Sequence, residues 1–231
     1  VPEELAQGWA AVRAATEVPS DFPVEVTAAA EKAAVEPRLP DLDRTDLELI
    51  TIDPAGSRDL DQALHITRGP SGEFVISYAI ADVAAFVRPG DPIDLEAHRR
   101  GTTLYAPDCR TPLHPSVLSE GAASLLPNEL RPALLWTITL DHRGQTLAAD
   151  VARARVRSRA QLSYREAQAE IDGSTPRETL GLLKLVGQWR EFRERDRGGA
   201  SMKLPQQEIQ RHEDSWTLAF RAPEPVEGWN A

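Results

Sequence analysis

The sequence predicts an α+β fold, with a mixed or antiparallel β-sheet core flanked by helices. Three observations carry this. Apolar residues recur at helical spacing before residue 35 and at a period of two from residue 47. Short turns, GPSG at 69–72 and DHRG at 141–144, separate strand-like runs and point to hairpins. Two marked helix starts follow the strands instead of alternating with them.

Residues 3–15 place Leu5, Trp9 and Val12 at helical spacing, and residues 24–35 are alanine-rich and helix-prone. VEPRLPDLDRTD, residues 35–46, is polar and carries two prolines, so it reads as a linker or long loop. It divides a helical N-terminal segment with its linker, 1–45, from the remainder, 46–231. LELITID (47–53) and EFVISYAIADV (73–83) are strands, apolar at nearly every position as in strands covered on both faces. LLWTITLD (134–141) is a third, and a fourth runs from about 146 to 160. Ser163 with Glu166 forms a capping-box pattern. Thr175, Pro176 and Glu178 supply a cap, a first-position proline and a box partner for a second helix. That helix is expected to bury Leu182, Leu185, Val186 and Trp189 and to stop at Gly198 and Gly199. Residues 207–221 read as a hairpin with its tip at 213–215.

Composition sets limits on function. The 231 residues carry 26 basic and 36 acidic side chains, a net charge of −10. That argues against a general nucleic-acid coat. It leaves room for a cleft in which bound cations supply the positive charge. No apolar run approaches the ~20 residues a membrane span needs, and no secretion leader is visible. Cys109 is the single cysteine, which excludes an internal disulfide and fits a reducing cytoplasm. A start at Val1 and a lone methionine, Met202, suggest a piece of a longer chain.

The stretch TIDPAGSRDLDQAL (51–64) places Asp53, Asp59 and Asp61 within nine residues at the end of an apolar strand. Residues 59 and 61 share a face if extended. Pro54 and Gly56 allow the chain to loop back beside Asp53. Like charges held together raise one another's pKa unless a cation sits among them. Oxygen ligands without nearby His or Cys favour Mg²⁺, or Mn²⁺, over zinc. The alternative is a solvated turn, which Asp, Pro, Gly and Ser all favour, and spacing alone prefers it. Apolar Leu60, Ala63 and Leu64 weigh against full exposure.

Other residues leave similar choices. Arg99, Arg100 and Tyr105 lie in a proline-bounded stretch that suits a nucleotide, with packing and solvation as the alternative. Arg153, Arg155, Arg157 and Arg159 alternate along a strand. They read as a phosphate track, or as a wet face and partners for acids. His65 is either a donor behind the aspartates or solvent-facing. Ser116, Ser119 and Ser124 lack a nucleophile-elbow setting, and no phosphate-binding glycine loop is present.

Taken together, TIDPAGSRDLDQAL, YAIADVAAFVRPGDPID (78–94), the block from Gly101 to Leu134, SRAQLSYREA (158–167) and RGGASMKLP (197–205) resemble the catalytic domain of the ribonuclease II, or RNB, family of exoribonucleases. The resemblance implies a 3′-to-5′ exoribonuclease that hydrolyses single-stranded RNA to nucleoside 5′-monophosphates with Mg²⁺. It implies no DNA substrate and no membrane partner. Asp53, Asp59 and Asp61 match the first three of a run of four metal-binding aspartates, and Gln62 stands at the fourth. Tyr105 matches the tyrosine that stacks on the 3′-terminal base, and Tyr164 a second aromatic near the RNA end. The family's later glutamate, arginine and OB-type domain have no counterpart before Ala231, so 46–231 matches the first part of that domain. Gln62 leaves a weak or inactive RNA-binding member of the same fold as the alternative.

Overall fold

The structure is a computed structural model that describes residues 3–19, 21–202, 204–212 and 215–230. Two helices, α1 (Glu3–Ala15) and α2 (Val24–Val35), precede strands β1 (Leu49–Asp53), β2 (Gln62–Arg68) and β3 (Phe74–Ala81). Helix α3 (Pro92–Arg100) and a small hairpin, β4 (Leu104–Tyr105) with β5 (Arg110–Thr111), follow. Long strands β6 (Leu130–Leu140) and β7 (Thr146–Ser163) lead to α4 (Tyr164–Asp172) and α5 (Glu178–Asp196). A hairpin of β8 (Gln206–His212) and β9 (Ser215–Arg221) and a short helix α6 (Pro225–Asn230) complete the described chain. The expected hairpin over 207–221 is present, but Glu213 and Asp214 of its tip lie outside the described residues.

The core is a closed barrel in the order β1-β2-β3-β6-β7. Its pairs are antiparallel except β1 with β7, which is parallel and closes the barrel. The predicted mixed α+β class therefore holds. All five residues of β1 are buried, as its unbroken apolar run implied. Strand β2 was missing from the expected set, because His65, Thr67 and Arg68 break its apolar alternation just after the acidic run.

Two apolar clusters divide along the barrel. Ile50, Ile52, Leu64 and Ile66 pack with α4, α5 and α6, while Leu49, Ala63 and Ala79 pack with Leu60 and Leu125. Neighbours in a strand point to opposite faces, so this split is what pleating demands. Strand β7 breaks its own alternation. Ala154 and Val156 belong with Leu49, yet Ala160 and Leu162 belong with Ile50. A β-bulge explains it: Leu49 pairs with Ser158 and Ile50 with Ala160, so Arg159 is an extra residue that flips the face.

The bulge corrects the idea of four arginines on one face, since Arg159 falls out of register with the other three. Three of the four are held by protein groups, while Nε of Arg157 is buried with no hydrogen-bond partner among the described residues. Arg153 binds buried Asp82 at 2.7 Å, Arg155 binds Asp43 at 3.4 Å, and Arg159 donates to the carbonyl of Thr45 at 2.5 Å. The proline-rich segment is laid along β7, with Arg155 N donating to Leu42 O and Arg44 N to Arg155 O.

The helix caps came out unevenly. Ser163 and Glu166 form the expected capping box on α4. Helix α5 begins at Glu178, later than the Thr175 signal implied, and has no side-chain cap of its own. Glu170 of α4 replaces it, accepting from Arg177 N and from the Arg177 guanidinium at 2.8 Å each. The buried face of α5 also runs one position off the expected one: Leu180, Leu183 and Gly187 are buried with Leu182 and Val186, whereas Leu185 is exposed. A Cβ on Gly187 would sit 2.7 Å from Cβ of Trp229 in α6. Gly187→Ala gains up to ~1 kcal/mol of helix propensity. Overpacking costs ~1–3 kcal/mol. A net loss of about 1 kcal/mol in urea denaturation is expected, and a stabilised variant would contradict the packing.

Helix α1 buries none of its residues, so Leu5 and Val12 make no core. It is held by Trp9 edge-on against Trp216, ring centroids 5.1 Å apart, and by Arg13 paired with Asp108 at 2.8 Å.

Candidate active site

Strand β1 ends at Asp53, and the chain turns through Pro54, Ala55 and Gly56. Gly56 has φ +83°, a left-handed conformation that glycine adopts without strain. The returning segment belongs to no strand until Gln62 and is fixed by contacts from distant residues. Gln161 of β7 donates its amide to Ser57 O at 2.7 Å. Leu60 is fully buried, so the flanking Asp59 and Asp61 point the other way, into the cleft. Ala81 N donates to Asp61 O and Leu125 N to Leu60 O, both at 2.8 Å.

That cleft has a volume of about 680 Å³, and Asp53, Asp59, Asp61, Tyr105, Arg110 and Glu120 are among the residues lining it. Burial, reinforced by the charges of Asp61 and Asp59, pushes the Asp53 carboxyl up to about 6. Burial and then Asp59 raise Asp61, although a backbone hydrogen bond opposes them. Oδ2 of Asp53 is buried without a hydrogen-bond partner among the described residues. The three sequence-predicted acids thus share one cleft and feel one another's charge. Among the described residues, however, no three acidic, histidine or cysteine side chains form a preformed cage. Asp59 pairs with Arg110 at 3.0 Å, and the same guanidinium also binds Glu120.

The two tyrosines take different places. Tyr105 lies on the β4–β5 hairpin opposite Arg110 and is 75% exposed at the cleft. Tyr164 starts α4, directly after Ser163, which pairs with Asp53 across β1 and β7. Its phenol is raised by burial and then by Asp53. Gln62 is engaged elsewhere: its side-chain oxygen accepts from the hydroxyl of Tyr78. Tyr78 is itself raised by burial and by the charges of Asp61 and Asp53.

Other expectations resolve as packing. Arg99 and Arg100 both bind Glu96, at 2.6 and 2.7 Å, and Arg100 is buried with its guanidinium 3.7 Å from the Phe22 ring centre. His65 contacts Thr179 Oγ1 at 3.2 Å, under α5 and not behind the aspartates. Cys109 is exposed, with Arg13 at 3.7 Å from its sulfur. Sequence reasoning missed Arg110, Glu120, Tyr78 and Gln161. They lie far from the acids along the chain and carry no local pattern.

The family profile of the RNB domain matches residues 42–218. The chain belongs to the RNB domain family. Exoribonuclease 2 of Baumannia cicadellinicola is 41% identical to this RNB chain over 132 residues, 56% of the chain and 20% of the relative. The probable exosome complex exonuclease RRP44 of Caenorhabditis elegans is 36% identical over 194 residues, 81% of the chain and 20% of the relative. The RNB chain spans about a fifth of the length of these curated relatives. Mycoplasma genitalium RNase R in complex with ribose-methylated single-stranded RNA has the same fold: TM-score 0.85, 22% identity, 96% of this chain and 37% of that one covered. Yeast Ssd1, a pseudonuclease, superposes with a TM-score of 0.58 at 18% identity, over 78% of this chain and 21% of its own. No described helix of the RNB chain is long and apolar enough to cross a membrane.

Proposed function

We propose that the chain is the acidic, RNA-end-gripping part of a 3′-to-5′ exoribonuclease that hydrolyses single-stranded RNA to nucleoside 5′-monophosphates with Mg²⁺. The observation that carries this reading is the meeting of Asp53, Asp59 and Asp61 with exposed Tyr105 in one cleft of an RNB-family chain. The unpartnered buried oxygen of Asp53 and the all-oxygen donor set fit a hard divalent cation. An open arrangement suits Mg²⁺, which is often held by one or two carboxylates plus substrate phosphates. Asp53, Asp59 and Asp61 would hold it. Bound there, the ion supplies Lewis acidity to a phosphoryl oxygen and a more acidic water.

The protein's own groups do the rest. Tyr105 offers a ring face to the terminal base, and stacking is indifferent to sequence. Tyr164 is not among the residues lining the cleft; it packs against the apolar cluster of Ile50 and Ile52, near enough to feel the charge of Asp53. Arg58 and Arg110 are the basic residues among the acids lining the cleft, and they offer positive charge to a phosphate that the net charge of −10 would repel. The lone exposed Cys109 suits a reducing cytoplasm.

A second reading, an RNA binder that does not cut, is favoured by one observation: Gln62 stands where the family has an aspartate, and its oxygen is taken by Tyr78. The likeness to yeast Ssd1, a pseudonuclease, supports this reading. The full-length protein, incubated with 5′-labelled single-stranded RNA, separates the two. Stepwise shortening from the 3′ end with Mg²⁺ but not with EDTA supports the nuclease. A mobility shift with intact RNA supports the binder. In either case Tyr105→Ala is expected to weaken RNA binding by about 5- to 150-fold, the ~1–3 kcal/mol of one lost stack. A titration showing an unchanged Kd would remove Tyr105 from the site.

A further inference from the structure

Asp59 sits in a segment with no ladder hydrogen bonds, yet one hydroxyl grips its backbone from both sides. Ser124 Oγ donates to Arg58 O at 2.5 Å and accepts from Leu60 N at 3.0 Å. Ser124 is 2% exposed and 64 residues distant from Leu60. The next residue, Leu125, extends the grip through its N–H to Leu60 O at 2.8 Å, and its side chain packs with Leu60 in one apolar cluster. Arg131 anchors this clamp from behind, its Nε donating to Ser124 O at 2.8 Å. Asp59, by contrast, has an alternative partner in Arg110.

We propose that Ser124 is a positioning residue: its hydroxyl holds the backbone on both sides of Asp59, and so sets Asp59 against Asp53 and Asp61 for divalent-ion binding. This rests on the ribonuclease reading above. The hydroxyl is suited to the task because it donates and accepts at once, which a carbonyl or an amide N–H cannot do. Without it, Arg58 O and the N–H of buried Leu60 lose their partner, and the segment relaxes by turning them to water. Asp59 moves with them and stays with Arg110.

The test uses the full-length protein and three forms: wild type, Ser124→Ala, and Ser119→Ala as a control in the same stretch, where the hydroxyl makes long contacts to His114 O and Pro115 O at 3.4 and 3.5 Å. Mn²⁺ affinity is read by electron paramagnetic resonance. Hydrogen exchange of segment 54–61 is read without metal, and kcat and KM are read on single-stranded RNA. Ser124→Ala is expected to weaken Mn²⁺ binding by ~10- to 100-fold. Its kcat falls by ~10²-fold, the loss of a misplaced group, and KM stays within about threefold. Exchange in 54–61 speeds up while the barrel strands stay protected, a pattern that general loosening would not give. Ser119→Ala behaves as wild type. A Ser124→Ala protein that binds Mn²⁺ and cuts as wild type overturns the proposal and leaves the nuclease reading intact. A wild type that neither binds Mn²⁺ nor cuts overturns both. If Ser124→Ala does not fold, Ser124→Cys decides: weakened Mn²⁺ binding supports the role, and unchanged binding refutes it.

Discussion

Asp61→Asn is expected to cut RNA at least about 10³-fold more slowly than wild type, with RNA affinity held within about threefold. Asparagine keeps the size and shape of the side chain and removes its charge. Among the described residues Asp61 has no salt bridge, whereas Asp59 is shared with Arg110. Its backbone is anchored to Ala81, so the carboxylate stands ready. Losing several kcal/mol of charge stabilisation in the transition state corresponds to that factor, at ~1.4 kcal/mol per decade. Stability should move the other way. Asp61 is the larger of the two like charges raising Asp53, so its neutralisation relieves repulsion and the metal-free melting temperature holds or rises. Lower activity with unchanged or higher stability distinguishes lost chemistry from lost fold. A variant that cuts within tenfold of wild type would remove Asp61 from its central role.

Glu96→Ala should cost the full-length protein about 3 kcal/mol in urea denaturation, the lower end of the range for breaking a buried ion pair. Glu96 is 6% exposed and binds two guanidiniums; the side chain of Arg100 is 2% exposed and stacks on Phe22. The lower end applies because Arg99, the other partner, is half exposed. Hydrogen bonding from Arg99, and then from Arg100, holds the Glu96 carboxyl down at about 2. A carboxylate lowered in the folded state stabilises above its ordinary value of 4.5, and that contribution is lost as pH falls through about 2. The gap between wild type and Glu96→Ala is therefore full at pH 7 and narrows steadily below about 4.5. A gap independent of pH would mean that packing, not charge, carries the cost.

These two sites show unequal legibility. The acidic site was readable because its signal is compressed: three aspartates at a strand end, followed by blocks in family order. The role of Arg99 and Arg100 was not, because basic residues beside Tyr105 look alike whether they face a phosphate or a buried glutamate. Helix α4 declared its start through a local capping box. Helix α5 hid its start, since the group satisfying Arg177 N comes from Glu170 on the preceding helix. Strand β2 was passed over because a polar position under α5, His65, reads as solvent-facing until the helix is in place.

The amino-acid order alone determined the class of elements, most of their positions, the acidic trio with Tyr105, and the family. Periodicity and capping act within a few residues, so they survive in a linear text. Only the tertiary structure decided that β1 pairs in parallel with β7, that a bulge at Arg159 reverses a face, that Arg110 meets Asp59, and that Ser124 holds the backbone on both sides of it. Those contacts join residues 50 to 110 positions apart. They are selected by packing summed over the whole core, for which no short stretch of sequence carries a signature.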